Sequence, residues 1–223
     1  MQRAARARLL ARRYPASREI LLFSAALAEW QGAIAAERQR PDELLGGLVD
    51  LVVGAGPEVL RTAARKLAHL PHLHDAPPLD FFARAARQPV AEASRPADIE
   101  APEGLTRCSW CRRSPIAGCL KKQGDAQSLL LVCSLCFGRW SFPRARCPAC
   151  GQEAEGRLVY YTAAEFPQLR LQACEACRAY LQFVDLDQDP EAIPEVDELA
   201  GLPLDLWACE QGYHKLVRNL AGI

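Results

Sequence analysis

The sequence carries no net charge, because its 27 lysine and arginine residues balance 27 aspartate and glutamate residues. A chain of zero formal charge exerts no long-range pull on nucleic acid or anionic lipid, so composition argues against both as partners. No window approaches the roughly 18 uninterrupted apolar residues of a membrane-spanning helix. We therefore predict a soluble, cytoplasmic protein without membrane insertion.

A secretory signal is also missing, since such a signal needs a continuous apolar stretch and a cleavage site of small residues. Near the N-terminus, Leu9 and Leu10 are followed at once by Arg12 and Arg13. The first twenty residues are rich in arginine, and Glu19 is their only acid. We interpret them as a helix with a solvated face; an arginine-rich mitochondrial presequence is the alternative.

Motifs of catalysis are absent as well. The sequence shows no catalytic triad, no P-loop and no dinucleotide-binding fingerprint, and methionine occurs once in 223 residues. We therefore predict no catalytic and no cofactor-binding residues.

The first part of the chain is predicted to be helical, because its apolar residues recur every three or four positions. A stripe from Ile20 to Ile34 follows Ser17, a residue type that favours helix N-caps. Three further helical stripes follow, separated by proline and glycine breakers. We interpret these stripes as the core of a helical bundle.

The stretch from Gln88 to Thr106 lacks periodicity and contains three prolines, which is typical of a linker. Short strand-like runs then replace the helical stripes, and they are Ile116–Leu120, Leu129–Val132, Leu158–Tyr161, Leu169–Gln172 and Tyr180–Val184. From Pro194 onward the pattern is helical again, with Pro203 expected to bend or divide it.

These patterns predict an α+β fold, with an N-terminal helical bundle, two tandem ribbon modules of short antiparallel strands and a C-terminal helix. The predicted division is a helical domain at 1–90, a linker at 91–106, a first four-cysteine metal ribbon at 107–145, a second at 146–190 and a C-terminal helical segment at 191–223.

Cysteine is abundant, with ten residues, and eight of them form four Cys-x-x-Cys pairs. The pairs are Cys108/Cys111, Cys133/Cys136, Cys147/Cys150 and Cys174/Cys177. Two intervening residues let both thiolates of a tight turn face one ion, and two such turns complete a tetrahedral site. Four disulfides would require an oxidising compartment, and catalytic dithiols occur singly in a βαβ context. We therefore predict metal sites that hold zinc or iron, because thiolates are soft ligands.

The spacing favours sequential pairing of these four turns. The gap from Cys111 to Cys133 holds 21 residues and that from Cys150 to Cys174 holds 23, enough in each case for two strands and a turn. The predicted ligands are Cys108, Cys111, Cys133 and Cys136 in the first site, and Cys147, Cys150, Cys174 and Cys177 in the second. An interleaved arrangement, in which the first and third pairs share an ion, is the alternative and needs longer crossovers.

Other residues of this half are given structural roles. We predict that Cys119 and Cys209 are buried apolar thiols, and that Gly118, Gly124 and Gly151 supply turns. Basic residues near the pairs would offset the charge of minus two that four thiolates give a divalent ion, and they are Arg112, Arg113, Lys121, Lys122, Arg139, Arg144 and Arg146. A basic rim that binds nucleic acid is the alternative.

Three segments resemble the formate dehydrogenase accessory protein family, FdhE. They are CSWCRRSPIAGCLKK, LLLVCSLCFGRWSFPRARCPACG and VDELAGLPLDLWACEQGYHK. RAARARLLA and LDFFARAARQPVAE fit the family more loosely, so the likeness covers nearly the whole chain. Two departures stand out: the family's members usually have an extra stretch before the arginine-rich helix, and HKLVRNLAGI differs from their usual end.

The resemblance implies a non-catalytic maturation factor for formate dehydrogenase, an oxidoreductase with molybdenum or tungsten. It further implies binding to the catalytic subunit in the cytoplasm, and two rubredoxin-like sites with iron as the associated metal. A zinc-ribbon protein that binds nucleic acid and a small electron-transfer protein are the alternatives. For part of the client surface we consider the acidic residues near the C-terminus, with a solvated helix face as the other interpretation; they are Glu195, Asp197, Glu198, Asp205 and Glu210.

Overall fold

The structure is a computed structural model that describes residues 2–35, 44–67, 79–96, 102–123 and 126–219. Its helices are α1 (Gln2–Arg13), α2 (Arg18–Ala35), α3 (Leu45–Ala55), α4 (Glu58–Leu67), α5 (Asp80–Ala93), α6 (Pro194–Ala200) and α7 (Leu202–Glu210). Its strands are β1 (Pro115–Gln123), β2 (Ala126–Cys133), β3 (Arg139–Ser141), β4 (Leu158–Tyr161), β5 (Leu169–Cys174), β6 (Ala179–Asp185) and β7 (His214–Lys215). The predicted α+β class is confirmed.

All strands of the described ranges belong to one sheet, with the order β3-β2-β1-β6-β5-β4 and with β7 beside β6. Within each module the three strands run antiparallel. The modules meet where β1 pairs with β6 in parallel, with Gly118 opposite Phe183. The two ribbons expected from the sequence are therefore halves of a continuous sheet.

The helices share a core with this sheet, and α6 packs directly against β1 and β6. Phe23 of α2 and Phe82 of α5 belong to the same buried cluster as Leu169 and Tyr180 of the sheet and Leu199 of α6. Burial of such large side chains is the main favourable term in folding. No helix in the described ranges has the length and apolar character to cross a bilayer.

The structure departs from the sequence prediction at two helix ends. The Ser17 hydroxyl donates to the carbonyl of Ala200 at 2.8 Å, so it ties α2 to α6 and does not cap α2. Helix α5 continues to Ala93 with Pro89 buried inside it, beyond the start of the aperiodic stretch. Proline removes a helical donor and disfavours a helical residue before it, which is why the sequence pattern suggested an earlier end.

The acidic residues near the C-terminus are mostly buried, and the prediction of a client surface there is wrong for three of the five. Asp197, Glu198 and Asp205 are at most 1% exposed. Lys215, which is also buried, pairs with Glu198 and donates to Asp205 at 2.7 Å. Arg6 of α1 pairs with Asp197, so these charges hold the C-terminal helices in place and do not face solvent.

Gly118 lies inside β1 and not in the turn predicted from the sequence. A Cβ added there would lie 2.3 Å from two ring carbons of Phe183 on the neighbouring strand. We expect Gly118→Ala to lower the free energy of unfolding by about 1–3 kcal/mol, because the rigid ring must shift within a packed core. Thermal unfolding measures the loss.

Gly32→Ala is the matched control for this substitution. Gly32 lies on α2 with no atom within 4 Å of an added Cβ. Alanine there should leave stability unchanged or raise it by up to about 1 kcal/mol, because it favours helix more than glycine does. Equal effects at the two positions would contradict the proposed close contact between the modules.

Candidate metal centre

Each Cys-x-x-Cys pair forms a tight turn whose last step is left-handed. The residue directly after each of three pairs has a positive φ: 61° at Arg112, 51° at Phe137 and 60° at Arg178. After the third pair, Gly151 has a φ of 76°. This conformation lets a backbone N–H reach back into the turn, as from Arg112 to the carbonyl of Cys108 at 2.9 Å. All four turns therefore share one backbone geometry. The left-handed position is a glycine after the third pair and another residue type after the other three.

These turns also direct backbone donors at sulfur. The N–H of Leu135 donates to Cys133 Sγ at 3.4 Å, and the N–H of Ala149 donates to Cys147 Sγ at 3.4 Å. Hydrogen bonds to sulfur favour the thiolate, which is the form that binds a metal.

The first four-cysteine cluster lies where β2 ends and β1 begins. The Sγ atoms of Cys108 and Cys136 are 3.7 Å apart, those of Cys111 and Cys136 3.7 Å, and those of Cys111 and Cys133 3.2 Å. Cys111 is partly exposed and the other three are buried. The structure thus brings together the four residues of the first sequential set.

The second cluster lies where β5 ends and β6 begins. The Sγ atoms of Cys147 and Cys177 are 3.8 Å apart, as are those of Cys150 and Cys174. Cys150 is exposed and Cys177 partly exposed, so this cluster is the more accessible one. In each cluster all four Sγ atoms lie within 4.8 Å of one another.

These distances fit a metal ion. A tetrahedral ion with metal–sulfur bonds of about 2.3 Å places its ligands about 3.8 Å apart. Most of the sulfur–sulfur distances given above are 3.7–3.8 Å. Each cluster can therefore hold one ion in a four-thiolate site, with no need for a major rearrangement of the turns.

The thiols differ in acidity. A hydrogen bond from Cys133 lowers the pKa of Cys136 to about 5, and the same bond, with burial, raises the pKa of Cys133. Burial raises the pKa of Cys108 to about 11 and that of Cys177 to about 12. Burial also opposes ionisation of Cys174, but hydrogen bonds from backbone N–H groups and from neighbouring thiols together outweigh it and lower the pKa. The pKa is thus raised at four of the eight ligands, Cys108, Cys133, Cys147 and Cys177. Because a metal binds the thiolate, a cation that binds these residues displaces their protons.

The two remaining cysteines lie outside both clusters. Cys119 is buried in β1, as predicted. Cys209 on α7 is exposed, so the prediction of a buried thiol is wrong for that residue. Of the basic neighbours, Arg146 is partly exposed and pairs with Glu153 at 3.2 Å, while the others are exposed.

Comparison with known proteins identifies relatives of this chain. Residues 145–221 match the family model described as FdhE, C-terminal domain. A protein FdhE homolog from Aquifex aeolicus is 33% identical over 116 residues, which are 52% of this chain and 41% of the relative. One from Shewanella baltica is 28% identical over 209 residues, which are 89% of this chain and 69% of the relative.

The fold has a counterpart of known structure. The crystal structure of the FdhE protein from Pseudomonas aeruginosa superimposes with a TM-score of 0.76 over 98% of this chain and 94% of that chain, at 23% identity. The matching segment spans about two fifths of the length of the Aquifex aeolicus and Stutzerimonas stutzeri relatives. Together these matches confirm the resemblance to the FdhE family.

Proposed function

We propose that this chain, which resembles the FdhE family in sequence and fold, is an accessory protein for the maturation of formate dehydrogenase and is not itself an enzyme. The observation that carries the proposal is the pair of four-cysteine clusters within the segments that match FdhE relatives. The clusters hold the turns of one sheet in fixed positions, which suits a scaffold that recognises a client protein.

Each cluster binds one metal ion through its four thiolates. Cys108, Cys111, Cys133 and Cys136 hold the first ion, and Cys147, Cys150, Cys174 and Cys177 hold the second. Iron is the favoured metal because of the resemblance to the FdhE family, and zinc is the alternative, since both metals accept four thiolates in a tetrahedron. A bound ion cross-links two turns, and iron would add one-electron redox chemistry.

The client is the catalytic subunit of formate dehydrogenase, and the encounter takes place in the cytoplasm before export or membrane assembly. Recognition requires no nucleic acid and no membrane. The balanced charge of the chain supports recognition without nucleic acid, because a nucleic-acid-binding ribbon has a strongly positive surface.

Anaerobic purification followed by metal analysis and a pull-down tests the proposal. We expect two equivalents of metal per chain, a visible thiolate-to-iron absorption, and capture of a tagged formate dehydrogenase catalytic subunit by the metal-loaded protein. A mature, fully assembled formate dehydrogenase is the matched control, since a maturation factor releases its finished client.

Each alternative predicts a different result. Two equivalents of zinc and no colour would exclude the iron assignment but leave the accessory role intact. Failure to bind the subunit, combined with salt-dependent binding to DNA or RNA, would replace the proposal by the nucleic-acid function. Reversible bleaching by dithionite without subunit binding would favour an electron-transfer protein.

A further inference from the structure

Four arginines converge on a small cavity beside the first cysteine cluster. The cavity has a volume of about 170 Å³ and lies between α5 and the turns that carry the first four cysteines. Its charged lining within the described ranges is Asp80, Arg84, Arg87, Arg107 and Arg113. Among these lining residues there are four guanidinium groups and one carboxylate, so the lining has a formal excess of positive charge; Glu198 also attracts Arg84.

The arginines reach this cavity from two separate parts of the chain. Arg84 and Arg87 are three residues apart on α5, which places them on one face of the helix. Arg107 and Arg113 flank the Cys108/Cys111 turn. Because the helix and the turn are distant in sequence, their convergence on one concave site is a product of the tertiary fold.

Four uncharged residues complete the lining, and they are Ser114, Ser134, Leu135 and Val217. The hydrogen bonds seen for two of the arginines go to main-chain carbonyls: Arg84 donates to Arg218 at 2.9 Å and Arg107 to Arg112 at 3.4 Å. Carbonyls satisfy donors but do not neutralise the guanidinium charge. Ser114 and Ser134 also line the cavity and offer hydroxyl donors.

The surroundings of Arg84 disfavour its charge. Arg84 is partly buried, and burial lowers its pKa, although Asp80 and Glu198 oppose that effect. Arg113 lowers the pKa further by repulsion. An anion between these guanidinium groups would relieve both the burial and the repulsion.

We infer that this cavity is a binding site for a doubly charged oxyanion of the phosphate class. Arginine is the residue that best binds phosphate oxygens, because its planar fork donates two parallel hydrogen bonds. The volume, several times the roughly 30 Å³ that a water molecule occupies in the liquid, admits one such group. A dianion matches the excess of positive charge better than a single carboxylate does. This inference does not depend on the accessory role.

Calorimetric titration of the metal-loaded full chain tests this site. The probes are inorganic phosphate, glycerol phosphate and acetate, at constant ionic strength. We expect phosphate to bind, and acetate to show no binding at ten times the concentration. Equal binding of glycerol phosphate would identify a phosphate monoester as the natural ligand class, whereas binding of inorganic phosphate alone would identify the free ion.

Arg113→Gln and Arg112→Gln are the matched variants. Both arginines are exposed and lie within two residues of Cys111, but only Arg113 lines the cavity. We expect Arg113→Gln to weaken phosphate binding at least tenfold and Arg112→Gln less than twofold, with two metal ions retained in each. Arg84→Gln should also weaken binding, and Arg113→Gln keeps the test decisive if Arg84→Gln does not fold.

Three results would overturn the inference. They are the absence of phosphate binding at millimolar concentration, equal loss in the Arg112 and Arg113 variants, and binding of acetate as tight as that of phosphate. Equal loss would mean that these arginines act as diffuse charge around the thiolates and do not form a built site.

Discussion

Serine in place of Cys133 is expected to reduce the metal content from two ions per chain to one. Cys133 is buried at the end of β2, and its Sγ lies 3.2 Å from that of Cys111. A hydroxyl is a poor ligand for a thiolate-preferring ion, so the first cluster loses its metal. Because metal binding of order 10 kcal/mol is coupled to folding, the strands next to this cluster should lose much of their stability.

Cys119→Ser is the control for this experiment, since it makes the same chemical change at another buried cysteine in the same module. Cys119 lies in β1, outside both clusters. It should retain two ions and lose about 1–3 kcal/mol, the usual effect of a poorly satisfied buried hydroxyl. Metal analysis and thermal unfolding distinguish the two variants. Full metal content in Cys133→Ser would refute the sequential pairing.

The second large effect is expected from Lys215→Met. The Lys215 side chain is completely buried and pairs with two buried carboxylates, those of Glu198 and Asp205. Methionine fills a similar volume but leaves these carboxylates without their cation. The free energy of unfolding should fall by about 3–5 kcal/mol, the usual result of breaking a buried ion pair on one side. Chemical denaturation measures this loss.

The loss should depend on pH in a definite direction. Burial already raises the pKa of Glu198, and Lys215 is the main group that opposes this effect. Without Lys215 the pKa rises further above its value in the unfolded chain, so stability is retained at low pH and lost as pH rises through the folded-state pKa. Lys215→Met should therefore be closer to wild type at pH 5 than at pH 8.

Arg8→Met provides the comparison for this buried pair. Arg8 contacts Glu29 at 2.6 Å, with 44% and 51% of the two side chains exposed. Removal of such a surface pair changes stability by at most about 1 kcal/mol. Equal effects of Arg8→Met and Lys215→Met would show that the charges near the C-terminus are solvated in the protein.

The cysteine spacing was enough to predict which thiols lie together. A Cys-x-x-Cys turn is a local structure, and about twenty residues between turns fit one hairpin, so the two sets follow from short-range geometry. The five predicted strands lie within β1, β2, β4, β5 and β6. They could be predicted because a strand-like run of residues is also a short-range feature of the sequence. Strands β3 and β7 were missed because three and two residues are too short for an alternating pattern.

Long-range features could not be predicted in this way. The sequence of α6 and α7 has acidic residues at helical spacing, which is equally compatible with a solvated face and a buried network. Their burial depends on Arg6, which is 191 residues from Asp197. It also depends on Lys215, which lies beyond the end of α7 and ten residues from Asp205. The left-handed conformation after the cysteine pairs could not be predicted for a different reason. Glycine is the usual sign of a positive φ, and three of the four residues are not glycine.

The parallel contact between β1 and β6 has a consequence for how the molecule is assembled. Each module contributes a turn, two strands, a second turn and a third strand, and the third strand of one module lies beside the first strand of the other. The modules are thus related by a shift of three strands, about 14 Å, and not by a two-fold axis. Such an arrangement is open at both ends, so a third module could be added by the same operation. The short outer strands β3 and β4, of three and four residues, end the series and offer little edge to another chain.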